Sequence, residues 1–182
     1  MSKTDSLHYQ ICIEGAKWLH RQKRDINRCE KRYCHKPEFC RSCYRFKYVA
    51  VELCTYAAEN PDVWGFDGNY SAIIEVKISH SDFLSDKKKW CRSKEAEEVG
   101  LQAGTFRWYL CPEGVIKPKE VPEGWGLLYW NGSKIELIKG APSHENTARA
   151  DLMILSSILR REKFPTRIYN YRYQNTTIKP KK

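Results

Sequence analysis

The chain has 182 residues, 41% of them hydrophobic, with six Trp and eleven Tyr, so it can bury a core unaided and is no disordered segment. It carries a formal charge of +10, has no run of roughly 20 apolar residues that would cross a membrane as a helix, and opens on M-S-K-T-D-S without an apolar signal core. The expectation is a cytoplasmic, intracellular protein with no membrane partner, whose eight cysteines serve as metal ligands or buried thiols before disulfides. The charge is uneven: residues 21–47 and 160–182 each carry +7, leaving −4 for 48–159. Such basic segments attract phosphate backbones without reading sequence.

In chain order, Thr4, Asp5 or Ser6 can cap a first helix, with Leu7, Ile11, Gly15, Trp18 and Leu19 as its apolar face. Residues 28–46 change character. Cys29, Cys34, Cys40 and Cys43 form C-x4-C-x5-C-x2-C among basic and aromatic residues. A segment without hydrophobic pattern cannot fold by packing, but thiolates around tetrahedral Zn²⁺ can hold it. Zinc is favoured over free thiols, His35 can replace one cysteine, and an iron–sulfur cluster ranks below zinc. Arg41 and Arg45, with Tyr33, Phe39, Tyr44 and Phe46 interleaved, suit a grip on nucleic acid.

Tyr48–Cys54 reads as a strand. Asn60–Lys77 alternates apolar and polar residues, breaks at Gly68-Asn69 and resumes as a β-branched run, which is a hairpin pattern. With that turn Asp62 falls opposite Glu75, about 5 Å away, and Lys77 shares the face of Glu75. Two carboxylates on one face repel unless a cation joins them. Mg²⁺ or Mn²⁺ takes such oxygen ligands and keeps waters for a phosphate, while the lysine orients the attacking water and offsets charge on the phosphoryl oxygens. The plainer alternative is a solvated hairpin, against which the apolar Ile73-Ile74-Val76-Ile78 setting counts.

Ser79 to about Gly100 reads as one helix, with Phe83 and Trp90 on its packed face and Lys87, Lys88 and Lys89 near the entrance of the site. Phe106–Cys111, Gly126–Trp130 and Lys134–Lys139 read as strands, the last two joined across Asn131-Gly132. Glu145–Arg161 reads as a helix whose core stripe is Ala148, Leu152, Leu155 and Leu159. The Arg/Tyr-rich tail from 162 to 182 reads as an extra strand or a flexible arm.

Pro61-Asp62 followed by Glu75-Val76-Lys77 resembles the signature of the PD-(D/E)XK nuclease superfamily. The ordered series is similar to its MmcB-type, DNA-repair-associated members over Val49–Arg161. It runs through Glu52, Asp62-Val63, Glu75-Val76-Lys77, then Asp82-Phe83-Leu84-Ser85-Asp86 with Lys89-Trp90 (one residue longer than the family pattern). Trp108–Pro112, Pro122–Leu128 and Thr147-Ala148-Arg149 continue it. The cysteine cluster is absent from that pattern and looks like an insertion. The resemblance implies a restriction-endonuclease-like α/β fold in residues 1–161, a mixed sheet flanked by helices. It implies a metal held by Asp62, Glu75 and the Val76 carbonyl, with Lys77 assisting water. It further implies Glu14 approaching the metal from the first helix, Glu52 as a ligand or supporting carboxylate, and Lys89 on the phosphates.

These readings converge on a Mg²⁺- or Mn²⁺-dependent nuclease hydrolysing phosphodiester bonds in DNA, in repair, recombination or mobile-element processing. The alternative is a catalytically inactive nucleic-acid-binding accessory protein on the same fold. A structural zinc protein with a protein partner is a third reading, weakened by the two basic segments. The kind of nucleic acid, exo against endo cleavage, and pairing of two subunits stay open.

Overall fold

The computed structural model describes residues 6–20, 46–55 and 59–162, with the backbone of 168–170 and 176–178. The expected cysteine cluster (Cys29, Cys34, Cys40, Cys43), His35, Arg41 and Arg45 lie outside the described residues.

The elements run α1 (Leu7–His20), β1 (Tyr48–Val51), β2 (Val63–Phe66), β3 (Ser71–Val76), α2 (His80–Asp86), α3 (Lys94–Glu98), β4 (Phe106–Pro112), β5 (Gly126–Trp130), β6 (Ile135–Lys139), α4 (Ala148–Arg161), β7 (Ile168–Asn170) and β8 (Thr176–Ile178). The first six strands form one sheet in sequence order. β3–β4 and β4–β5 are parallel; the other neighbours are antiparallel. The chain is therefore mixed α/β, with a six-stranded sheet flanked by helices. β7 and β8 pair antiparallel, Ile168 against Ile178. No helix among the described residues is long and apolar enough to cross a membrane.

Strict alternation along β3 and β4 divides the core. Ile74, Val76, Trp108 and Leu110 face α1 with Ile11, Cys12 and Leu19. Ile73, Tyr109 and Cys111 face α4 with Ala150 and Ile154. Gly15 lets α1 lie close on the sheet, because a Cβ there would stand 3.0 Å from Leu110. Phe46, expected to grip nucleic acid, is fully buried in the α1 face of the core and cannot offer its ring to a base.

Both predicted hairpins form. In each an Asx side chain caps a turn whose next residue is a positive-φ glycine. Asp67 Oδ1 accepts from Asn69 N and Tyr70 N (2.8 and 2.7 Å), with Gly68 at φ 109°. Asn131 Oδ1 accepts from Ser133 N and Lys134 N (3.1 and 3.0 Å), with Gly132 at φ 93°. Since Asn131 N also donates to Lys134 O, the second turn centres on Gly132-Ser133, one residue later than expected.

Two expectations about the helices also fail. Residues 79–100 are not one helix. α2 ends after Asp86, a 3-10 turn covers Trp90–Arg92, and Ser93 caps α3 by accepting from Ala96 N at 3.2 Å. Phe83 is consequently buried while Trp90 is 54% exposed. The core stripe of α4 is also displaced: Ala150, Asp151, Ile154 and Ser157 are buried, whereas Leu152 is 60% exposed. A polar anchor causes the rotation. Asp151 accepts from Trp64 Nε1 (2.9 Å), Ser71 Oγ (2.6 Å) and Gly104 N (3.2 Å), which turns that side of α4 onto the sheet.

Candidate active site

The register of β2 on β3 runs from Phe66↔Ser71 to Val63↔Ile74, and one step further sets Asp62 against Glu75, as the sequence predicts. β2 ends there, and the Asp62 carboxylate turns along the end of the sheet: Oδ2 accepts from Val76 N at 2.7 Å. On its other side stands α1. His8 Nε2 is 3.5 Å from Asp62 Oδ2, and His8 Nδ1 is 3.6 Å from Glu52 Oε1. Cys12 Sγ lies 3.6 Å from His8 Nδ1. His8, Cys12 and Asp62 offer ligand atoms all within 4.8 Å of one another. Asp62 holds the His8 imidazole above its ordinary value by hydrogen bonding, against burial and with further help from Glu52. The Cys12 thiol is pushed strongly up by burial and the neighbouring carboxylates.

Glu14, expected near a metal, instead pairs with Lys17 at 2.5 Å; the α1 residues that reach Asp62 are His8 and Cys12. Glu52 follows β1 instead of lying within it. Its backbone takes φ 47°, a left-handed conformation costing a non-glycine residue about 1–2 kcal/mol, and its N–H donates to Asp62 O at 2.8 Å. A cavity of about 290 Å³ opens beside Asp62, lined by Glu52, Leu53, Cys54, Asn60 and Pro61.

Glu75 lies on the opposite, α4-side face, 2% exposed, within a compact charge network. Lys77 Nζ is 3.2 Å from both Glu75 Oε2 and Asp86 Oδ1. Lys89 Nζ is 2.6 Å from Asp86 Oδ1 and 3.8 Å from Glu75 Oε2. Arg92 sits at the centre: Nε 3.0 Å from Asp86 Oδ2, NH2 3.3 Å from Glu75 Oε1, and NH1 on Glu59. Tyr109 donates to Asp86 Oδ2 at 2.9 Å. Burial raises Glu75 well above the ordinary glutamate range despite Arg92, and Asp62 adds to the rise. Burial works the same way on Asp86, but Arg92, Lys89 and Lys77 outweigh it and hold that carboxyl far below its ordinary value. Burial depresses the Lys77 ammonium, yet Glu75 and Asp86 leave it above the ordinary lysine value.

The predicted lysines divide. Lys89 reaches the site. Lys87 stands over the Phe83 ring, 4.5 Å from its centroid, and donates to Glu120 O at 2.9 Å. Lys88 is exposed. His80 pairs with Glu120 at 3.0 Å. Arg92, Glu59, His8 and Cys12 are the site residues sequence reasoning missed. For α1 the signal was there, since His8 and Cys12 stand four apart and share a helix face. Arg92 was hidden by reading 79–100 as one helix.

No family model matches this chain, and no curated protein matches it. Among solved structures, it is similar to a protein of unknown function from Silicibacter pomeroyi, at 18% identity and a TM-score of 0.46, over 63% of this chain and 76% of that one.

Proposed function

We propose that this chain is a metal-dependent nuclease that hydrolyses phosphodiester bonds in DNA, on a restriction-endonuclease-like core with a zinc-stabilised insert at 28–46. The carrying observation is the hairpin register that sets Asp62 against Glu75 beside a buried Lys77. The donor types suit a hard divalent cation, which would have to bridge Asp62 at the end of the sheet and Glu75 on its α4-side face. Asp62 and Glu75 offer carboxylate oxygens, Val76 adds a carbonyl, and burial together with Asp62 pushes Glu75 toward its neutral form, a penalty a nearby cation relieves. Mg²⁺ or Mn²⁺ held there would supply charge stabilisation and an activated water.

This chain's own residues set the remainder. Lys77 stays protonated, so it serves as a donor and positive charge toward the phosphoryl oxygens and not as a base. Asp86, firmly ionised and fixed by Arg92 and Tyr109, holds the Lys77 ammonium in place. Lys89, half-exposed at the rim, meets an incoming phosphate. The cavity beside Asp62 leaves that carboxylate accessible.

Asp62→Ala and Lys77→Ala should each lower Mg²⁺- or Mn²⁺-dependent cleavage of duplex, single-stranded and branched DNA by at least about a hundredfold, with far-UV circular dichroism unchanged. Cleavage retained in purified Lys77→Ala removes the assignment. One observation favours the accessory reading: Arg92 and Lys77 already compensate Glu75. Equal, metal-independent DNA binding by wild type and Asp62→Ala, with no cutting by either, would select it.

A further inference from the structure

On the sheet face that carries Glu75, a second cavity of about 420 Å³ is lined by Lys87, Arg92, Arg107, Trp125 and His144, with Glu97 and Glu123 among its acidic residues. Arg107 lies on β4 two residues before Tyr109 and is only 3% exposed. Its guanidinium donates from Nε to Gly104 O at 3.1 Å and from NH1 to Gln102. Both partners are neutral, and no carboxylate among the described residues forms an ion pair with it. A buried cation without a counter-charge is costly. The acids whose charge reaches Arg107 have other partners: Glu59 binds Arg92 and Ala103 N, Glu97 on the cavity lining lies 3.7 Å from His144, and Asp151 binds Trp64 and Ser71. Lys87, on the same lining, forms no ion pair with a carboxylate among the described residues: its ammonium meets a carbonyl and a ring face. Arg92 forms the wall between this cavity and Glu75. The Trp125 ring is already engaged, stacked on Tyr109 at 4.4 Å and with the Arg92 guanidinium 4.7 Å from its centroid.

We infer that this cavity is a phosphate subsite in which Arg107 and Lys87 bind a phosphomonoester, the terminal phosphate of a nucleic-acid strand whose body lies toward Glu75. A recessed guanidinium suits a protruding terminal phosphate better than an internal one, which carries a sugar on each side. The charge-assisted fork is the strong form of this contact. The strand-end source rests on the nuclease reading; the phosphate chemistry does not.

The test is binding without turnover. Fluorescence anisotropy in EDTA compares 5′-phosphorylated, 3′-phosphorylated and unphosphorylated oligonucleotides of one sequence, using wild type, Arg107→Gln and Lys87→Ala. Calorimetry with inorganic phosphate runs alongside. Wild type should prefer one phosphorylated end by about tenfold, and both variants should lose that preference. Arg107→Gln should melt no lower than wild type without phosphate, because it removes an uncompensated charge. Should it fail to fold, the surface variant Lys87→Ala carries the comparison. Saturable, Arg107- or Lys87-dependent binding of inorganic phosphate without end preference supports the subsite and assigns its ligand to a free phosphate compound. Equal affinity for all oligonucleotides together with no phosphate binding overturns the inference, as does an end preference that survives both variants. No cleavage by wild type with metal restored, while wild type keeps an end preference that both variants lose, overturns the nuclease reading alone.

Discussion

Arg92 decides whether the interior beneath β3 is tolerable. Its guanidinium touches Glu59, Glu75 and Asp86, all three buried. Arg92→Met keeps most of the stem but strands these carboxylates, and removal of one partner from a buried ionic group typically costs about 3–5 kcal/mol. Chemical denaturation should show that loss, and a change below about 1 kcal/mol would mean that Lys77 and Lys89 suffice. His144 provides a pH test. Its Nε2 donates to Gly124 O at 2.7 Å and Nδ1 lies 3.7 Å from Glu97. Burial, then Arg107, hold the ring below the ordinary histidine value of 6.5. The folded form thus binds protons less readily than the unfolded one, so this contribution is present above pH 6.5 and declines as pH falls toward the folded value. His144→Asn should flatten the stability profile between about pH 7 and 5; an unchanged slope there would assign it to other groups.

At the scale of elements, what could be read from the sequence is what short-range chemistry decides. The β2–β3 register was legible because Asp67 and Gly68 define the turn locally and period-two alternation does the rest. The pairing of Asp62 with Glu75 and the shared face of Glu75 and Lys77 were legible for the same reason, whereas the turn of the Asp62 carboxylate toward α1, away from the face of Glu75, was not. The break between α2 and α3 was not. Ser93 is an obvious cap once α2 is known to end, but no glycine or proline marks that end. The displaced face of α4 was hidden more deeply, since a pattern that counts apolar residues has no means to place Asp151 inside. Ile154→Ala should cost about 2–5 kcal/mol, and Leu152→Ala, at a position 60% exposed, under about 0.5 kcal/mol. Similar losses in thermal or urea unfolding would reinstate the original stripe.

At the scale of the whole molecule, an acidic centre lies between two basic segments, and under the proposed function the centre would hold a cation and the flanks a polyanion. The cysteine segment belongs to one flank, and zinc there would be bound to the chain independently of the nuclease metal. Elemental analysis of the purified chain should find zinc, with loss of it in Cys40→Ser and Cys43→Ser under conditions where Asp62→Ala retains it. Zinc equally bound by all three variants would remove the ion from that segment.

The parallel pairing of β3 with β4 has a kinetic consequence. The β2–β3 and β5–β6 hairpins close over a few residues, whereas β4 reaches β3 only after the whole stretch from Lys77 to Thr105 has been looped across, at a larger entropic cost. Asp86, Lys89 and Arg92 all ride on that loop. During refolding Asp62 and Glu75 therefore pair early, across a local turn, with Lys77 beside Glu75, while Lys89 and Arg92, the other cations that neutralise Glu75, arrive late. Until they do, like charges at the end of β3 oppose the very strand pairing that the loop must complete, so low pH or high salt should speed the slow step even where it weakens the finished protein.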